Sequence, residues 1–452
     1  MMHISDIEQL YCSQGDTSAR HSPKMYFTGG NGSFLTDQDG TKFLDMQMCN
    51  SSANFGYQNP LFEQALVQQM TRLPSLSGEF MCEQQVLLAE KIAQYMEQQH
   101  GVKGRVHFAV GGAQAVDDAL KMIAAYTGTR NVFSFEGGYH GRTMASSSIS
   151  SSYRYHKQFG NVINTYRIPF PCCMRCPYEK IQGECNFYCV RQFERLFESE
   201  YYGVYHPQTH TSMYGAFFAE PILGRCGYVV PPDCYFQELT AVLHKFHIYL
   251  VFDEIQMGFY RTGKMWAFEH YGVVPDMLVF GKAISNGLWP LSGVWAREKL
   301  ISPSQWPCGS SHSTFSGNPI AMALGLTAMD LVASPSLKVQ VSMASQHFSK
   351  IIHHLKLDYP IIGRADCRGM AAGIELINQK TGRPDPLLAR KISSLALQEP
   401  VTLSGSRYGL ILSVGGLFEN AFLLSPSLFM TEQELDLFDV LIRHYLDKTT
   451  EK

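Results

Sequence analysis

Val251-Phe-Asp-Glu-Ile-Gln-Met-Gly-Phe-Tyr-Arg-Thr-Gly-Lys264, followed by Phe280-Gly-Lys-Ala-Ile-Ser-Asn-Gly287, puts an aspartate and a lysine at the ends of two successive apolar runs, Lys282 lying 29 residues after Asp253. Short apolar runs that stop at a polar or glycine-rich turn and alternate with helical stretches are the pattern of a mainly parallel sheet covered on both faces. Further runs of this kind are Arg105 to Val110 before Gly111-Gly112, Asn131 to Phe135 before Gly137-Gly138-Tyr139-His140, and Tyr214 to Ala219 before Glu220. Each delivers its polar residue at the carboxyl end of a strand, where open α/β sheets bind ligands.

An Asp and a Lys facing each other across a small ligand are what pyridoxal phosphate requires. Its aldehyde needs an amine, and its ring nitrogen needs a carboxylate to stay protonated. Taken alone, Lys282 also reads as a loop lysine, and Asp253-Glu254 as a strand end of a nucleotide enzyme. Gly111-Gly112-Ala113 opens a helix over Gln114 to Ala125, so free backbone N–H groups and the helix dipole suit a phosphate. The turn is neither Gly-x-Gly-x-x-Gly nor a Walker loop. Tyr139 offers an aromatic face, and Ser311-His-Ser-Thr-Phe-Ser-Gly-Asn-Pro319 offers hydroxyls before another helix.

Working outward, a hairpin is expected between Gly32 and Asp45 with its turn at Asp39-Gly40. Beyond about Leu324 a second α/β unit follows, with strands at Met370 to Leu376, Leu410 to Val414 and Ala421 to Ser425. A last helix begins at Thr431, where Thr431-x-x-Glu434 forms a capping box. The expected organisation is an N-terminal segment (1–60) joining a small lobe, a large cofactor-binding domain (61–324) and a C-terminal small domain (325–452).

Composition narrows the partners. The 452 residues are 45% hydrophobic, and 37 Lys and Arg against 40 Asp and Glu leave a net charge of −3. That balance gives no basic surplus for nucleic acid or an anionic membrane. The N-terminus lacks the basic and apolar segments of an export signal, so a cytoplasmic protein with reduced thiols is expected. Five of the 12 cysteines fall between Cys172 and Cys189. The spacing of Cys173, Cys176, Cys185 and Cys189 could close a tetrahedral zinc site, but a thiol-rich surface insertion is the favoured reading, because cysteine spacing alone often misleads.

The strings Asp-Glu-Ile-Gln-x-Gly-Phe-x-Arg-Thr-Gly-Lys, Gly-Lys-Ala-Ile and Thr-Phe-Ser-Gly-Asn-Pro, in this order and spacing, resemble the class III, or ω-, aminotransferases. The likeness covers nearly the whole chain. It implies the α/β fold of fold-type-I pyridoxal phosphate enzymes, with a large domain on a mainly parallel seven-stranded sheet and a smaller α/β lobe. By the same resemblance, Lys282 is the Schiff-base lysine and proton shuttle, Asp253 pairs with the pyridine nitrogen, and Gln256 lies near the ring hydroxyl. Tyr139 covers the ring, Gly112 and Ala113 hold the phosphate, and Glu220 belongs to the cofactor pocket. Thr314 reaches the phosphate of a neighbouring subunit, which implies a homodimer with the site at the subunit interface.

Two positions depart from the family. Members that use 2-oxoglutarate carry a Glu in a Glu-Pro-x-Gln-Gly-Glu stretch and an Arg before a Phe-x-Pro-Pro. Here the first reads Glu220-Pro-Ile-Leu-Gly-Arg225 and the second places Leu423 where the Arg would be. A carboxylate buried against Leu423 costs several kcal/mol unless another cation compensates. Arg225 supplies a planar multi-donor cation suited to a carboxylate or phosphonate. Loss of the acceptor site favours elimination, which needs no acceptor. The resemblance therefore extends to the family's lyase branch, and the expected reaction is release of ammonia from a small anionic primary amine. The best candidate is (R)-1-hydroxy-2-aminoethylphosphonate, giving phosphonoacetaldehyde. The alternative is an ω-aminotransferase that passes the amino group to pyruvate or another keto or aldehyde acceptor. A third reading is a non-catalytic, metal-sensing protein on this fold. Cys49, Asn50, Ser51, Asn54 and Phe55 are expected near the substrate entrance, with Asn54 as a substrate ligand.

Overall fold

The computed structural model describes residues 4–13, 15, 24–155 and 159–450. Residues 1–3, part of the N-terminal stretch read above for an export signal, lie outside them.

A seven-stranded sheet forms the centre of the chain. Its spatial order is Gly104–Ala109, Ser292–Arg297, Met277–Phe280, Tyr249–Asp253, Ala216–Ala219, Val132–Phe135 and Thr165–Ile168. Every residue of Val132–Phe135, Ala216–Ala219 and Met277–Phe280 is buried. Helices cover both faces, so alternate side chains of one strand enter different cores, and the strands read as unbroken apolar runs. Val251, Val279 and Phe218 pack with Ala115, Ala119 and Ile123 of the helix Gly112–Thr127. Phe252, Phe280 and Phe217 point the other way, into the cluster that holds Phe236 and Leu239 of the helix Tyr235–Lys245.

Register fixes what lies at the strand ends. Phe252 is paired with Ala219 and Asp253 with Val279 in parallel ladders. Glu220 and Asp253 therefore emerge side by side, with Lys282 just beyond the next strand. Ser292–Arg297 was not expected from the sequence. It runs antiparallel to both Gly104–Ala109 and Met277–Phe280. Its Gly293 is required by close approach, since a Cβ there would meet Cζ of Phe280 at 2.6 Å.

Two further sheets complete the molecule. The hairpin strands Phe34–Asp37 and Lys42–Asp45 pair antiparallel, and the Asp37 carboxylate accepts from the N–H groups of Asp39 and Thr41, with Gly40 at φ 79°. Lys42–Asp45 then pairs in parallel with Ser406–Ile411, so early and late segments share a five-stranded sheet. The run expected as one strand from Leu410 to Val414 is two: after Ile411 the chain crosses at Leu412 into Ser413–Gly415 of a four-stranded sheet. The final helix, Glu432–Thr450, opens on the expected capping box, with Glu434 accepting from the Thr431 N–H and Thr431 Oγ1 from the Glu434 N–H. Leu435, Phe438, Leu441, Ile442 and Tyr445 are buried beneath it. Among the described residues no single helix is long and apolar enough to cross a membrane.

Candidate active site

The strand ends open into a cavity of about 1140 Å³. Lys282, Asp253, Glu220, Tyr139, Gln256, Gly112, Ala113 and Arg225 all line it, as does Leu423. Lys282 follows Gly281 with φ 49°, a left-handed conformation that a non-glycine residue adopts at a cost of about 1–3 kcal/mol and that clusters at functional sites. Burial pushes its amine down to about 8, opposed by the charges of Asp253, Glu220 and Cys49. Near neutral pH about a tenth is therefore free amine, the form that attacks a carbonyl, far more than an ordinary lysine offers.

Asp253 is 4% exposed, and its carboxylate is held from two sides, by the N–H of Ile255 at 3.1 Å and by Nδ1 of His140 at 2.9 Å. His140 is itself buried, and its Nε2 has no hydrogen-bond partner. With Asp253 ionised, the bond requires the proton on Nδ1. Nothing local in the chain signals this pairing, because the two residues are 113 positions apart.

Glu220 accepts from the N–H groups of Tyr139 at 2.9 Å and Gly224 at 3.0 Å, and burial pushes its carboxyl up to about 7. Gln256 donates to the Tyr228 hydroxyl at 2.8 Å, and Ser51 Oγ lies 3.3 Å from the same hydroxyl. Ser51 ends a left-handed turn, Met48 to Ser51, in which four consecutive φ values are positive. The Asp45 carboxylate anchors this turn by accepting from Gln47 and Met48. Gln47 and Asn50 thereby reach the cavity wall.

Several expected residues fall elsewhere. Asn54 is fully buried and does not line the cavity; its Oδ1 accepts from Arg261, and the substrate role expected for it is withdrawn. Phe55 is a core residue. Thr314 is exposed and lies outside the cavity of its own chain. The cysteines between Cys172 and Cys189 are half-buried free thiols, and among the described residues no three His, Cys, Asp or Glu side chains are grouped to hold a metal ion. The zinc site suggested by Cys173, Cys176, Cys185 and Cys189 is not formed; their spacing belongs to an irregular segment pinned to the small lobe where Arg175 bonds Glu375 at 2.7 Å. Conversely, His140, Tyr228, Arg142, Arg154 and Glu419 line the cavity without having been singled out as ligands.

The surroundings fit pyridoxal phosphate. No side chain caps the helix Gly112–Thr127, leaving its first N–H groups for an anion. A Cβ on Gly112 would meet Cδ1 of Ile255 at 2.8 Å, so the cradle admits no side chain there. A lysine of lowered basicity and a buried carboxylate complete the set.

Buried beside this set, Glu254 is 0% exposed, and desolvation pushes its carboxyl up to about 8. One oxygen accepts from the Phe268 N–H and the other has no partner. The folded state keeps this proton to higher pH than the unfolded chain, so stability is lost as pH rises from about 4.5 to about 8. Glu254→Gln removes that loss. In melting experiments its advantage over wild type is expected to widen between pH 5 and pH 8 and then level off; a pH-independent difference would contradict the assignment.

The comparisons agree with this geometry. The class-III aminotransferase family matches residues 17–446. An alanine/serine racemase of Pyrococcus horikoshii is 30% identical over 94% of this chain and 86% of its own length. A diaminobutyrate–2-oxoglutarate aminotransferase of Haemophilus influenzae is 27% identical over 84% of this chain and 81% of its own. The ω-transaminase of Pseudomonas jessenii superposes with a TM-score of 0.85 at 23% identity, covering 99% of this chain and 98% of its own. The chain belongs to the class-III aminotransferase family, has its fold-type-I architecture, and uses pyridoxal phosphate.

Proposed function

We propose that the protein is an aminotransferase that takes the amino group of a small primary amine and passes it to pyruvate or another small keto or aldehyde acceptor. The observation that carries this reading is the convergence of Lys282, Asp253 and the Gly112-Ala113 cradle on one cavity whose far wall offers Arg225 beside Leu423. Bound there, pyridoxal phosphate supplies an aldehyde for the amine and an electron-accepting ring. Gly112 and Ala113 N–H groups would hold its phosphate, and Tyr139 would cover its ring. Gln256 would approach the ring hydroxyl, while Glu220 fixes the Tyr139 backbone. Asp253, oriented by His140, would keep a proton on the ring nitrogen. Lys282 Nζ takes the proton from the amine-bearing carbon and returns it one atom away.

Arg225 gives the cavity a permanent cation. Its Nη1 donates to the Val414 carbonyl at 2.8 Å, and among the described residues no carboxylate lies within ion-pair distance of it. A carboxylate on donor or acceptor has a partner there in place of the arginine that Leu423 replaces. The relatives named above are two aminotransferases and a racemase, and they lend no support to elimination from an aminophosphonate. Racemisation is favoured as the second reading by the 30% identity to the alanine/serine racemase. We further propose a homodimer in which Thr314, exposed here, completes the partner's phosphate site, and a cytoplasmic location.

One experiment separates these outcomes. Holoenzyme is mixed with L-alanine and no keto acid. Transamination converts the cofactor to its amine form once per site and stalls until pyruvate is added. Loss of optical activity without net amine transfer would establish racemisation; in a second arm with (R)-1-hydroxy-2-aminoethylphosphonate, which carries on the adjacent carbon the leaving group that alanine lacks, catalytic release of ammonia without acceptor would establish a lyase; either overturns the proposal.

A further inference from the structure

A second hollow, of about 290 Å³, lies where the C-terminal turn of the helix Glu83–His100 meets the short helix Ala267–His270. None of the residues lining it lines the cofactor cavity. Glu269 forms part of its wall with a side chain only 12% exposed. Its Oε1 accepts from the Tyr95 hydroxyl at 2.8 Å, and no described residue donates to its Oε2. Burial and the charge of Glu269 push the Tyr95 hydroxyl up, so it remains a donor. His100 Nε2 lies 3.4 Å from the same Oε1 without hydrogen bonding to it. Lys264 lines the hollow as well; it is exposed, and among the described residues its ammonium has neither an ion-pair nor a hydrogen-bond partner.

We propose that this hollow is a second, non-catalytic site that binds an amino acid in its zwitterionic form, with the ammonium on Glu269 and the carboxylate on Lys264. The two side chains share the hollow yet lie outside ion-pair distance of one another, so each charge is left for a ligand that carries both signs. The N–H groups of Gly272, Val273 and Val274 find no acceptor among the described residues, and the rim therefore offers the carboxylate backbone donors besides the lysine. Phe268 and Val273 are buried and give an apolar wall for a short branched side chain. A ligand with one charge satisfies only half of this arrangement. An amine leaves Lys264 unpaired, and a carboxylate leaves the largely buried Glu269 with a second negative charge beside it, which is costly away from water. The volume, at the lower end for ligand pockets, suits a molecule of amino-acid size.

The test is calorimetric titration of holoenzyme whose cofactor has first been fixed to Lys282 with borohydride, so that no amino acid can react in the cofactor cavity. Wild type is expected to bind one equivalent of L-valine per chain. Isovalerate and isobutylamine, which lack the ammonium and the carboxylate respectively, should bind at least about tenfold more weakly. Lys264→Gln and Glu269→Gln should each weaken valine by at least about tenfold, whereas Lys264→Arg, which keeps the cation, should change it by less than about threefold. Rescue by the arginine variant separates a lost contact from a damaged fold. Arg225→Gln, in the cofactor cavity, should leave valine binding unchanged. No saturable binding of valine below about 10 mM, equal binding of the singly charged analogues, or a loss caused by Arg225→Gln and not by the other variants overturns the proposal. No reaction at Lys282 enters this measurement, so its outcome is separate from that of the L-alanine experiment on the aminotransferase reading.

Discussion

Lys282→Ala is expected to abolish the dialysis-resistant visible chromophore and to lower amine turnover by at least about 10⁴-fold. Both losses come from one atom. Nζ is the amine that captures the cofactor covalently, and it is also the base within the cavity placed to move a proton. Its depressed basicity, about 8, comes first from burial and is tempered by Asp253 and Glu220. The rate of cofactor capture by apoenzyme should accordingly rise with pH and flatten above about 8, as the amine loses its proton. Lys282→Arg should not rescue either property, since a guanidinium stays protonated. A variant without Lys282 that kept its colour through dialysis and turned over at more than a small fraction of the wild-type rate would refute the assignment of this lysine.

Arg261→Met is expected to cost about 3 kcal/mol or more of stability, although it removes nothing from the cavity. Arg261 is 0% exposed, and burial pushes its guanidinium down to about 10. It donates to the carbonyls of Met370 and Pro426 and to Asn54 Oδ1, thereby joining the N-terminal segment, the large sheet and the small lobe at one point. Methionine fills much of the volume but leaves three buried acceptors unpaired, each worth about 1–3 kcal/mol. The measurable outcome is a lower melting temperature, with earlier release of the cofactor on heating. Arg261→Lys should recover part of the loss, because an ammonium reaches some of these acceptors but not all. If Arg261→Met melted with wild type, the three-way tie would be incidental.

Much of the fold was legible because its central strands are buried on both faces, so Val251-Phe252 or Met277 to Phe280 shows as an apolar run that halts at a chemically active residue. Ser292–Arg297 escaped because it begins with Ser-Gly, runs against its neighbours and delivers no ligand. The break at Leu412 was hidden because Leu410-Ile-Leu412 reads as one apolar run across it. Side-chain direction was the harder quantity. Asn54 stands in a polar stretch next to true wall residues such as Asn50, yet its amide faces Arg261, 207 positions later. His140 was visible but its partner was not, since nothing local signals that strand register brings Nδ1 to Asp253. Four thiols at ligand-like intervals say nothing about the path of the backbone between them.

The parallel pairing of Lys42–Asp45 with Ser406–Ile411 has a consequence for biosynthesis. A nascent chain leaving the ribosome carries its first hairpin as an open edge until about 360 further residues have been made. Exposed edges of that kind recruit other strands. A chaperone that masks this hairpin, or a circular permutant that brings the two segments together early in translation, should therefore raise the yield of soluble protein without altering the finished enzyme.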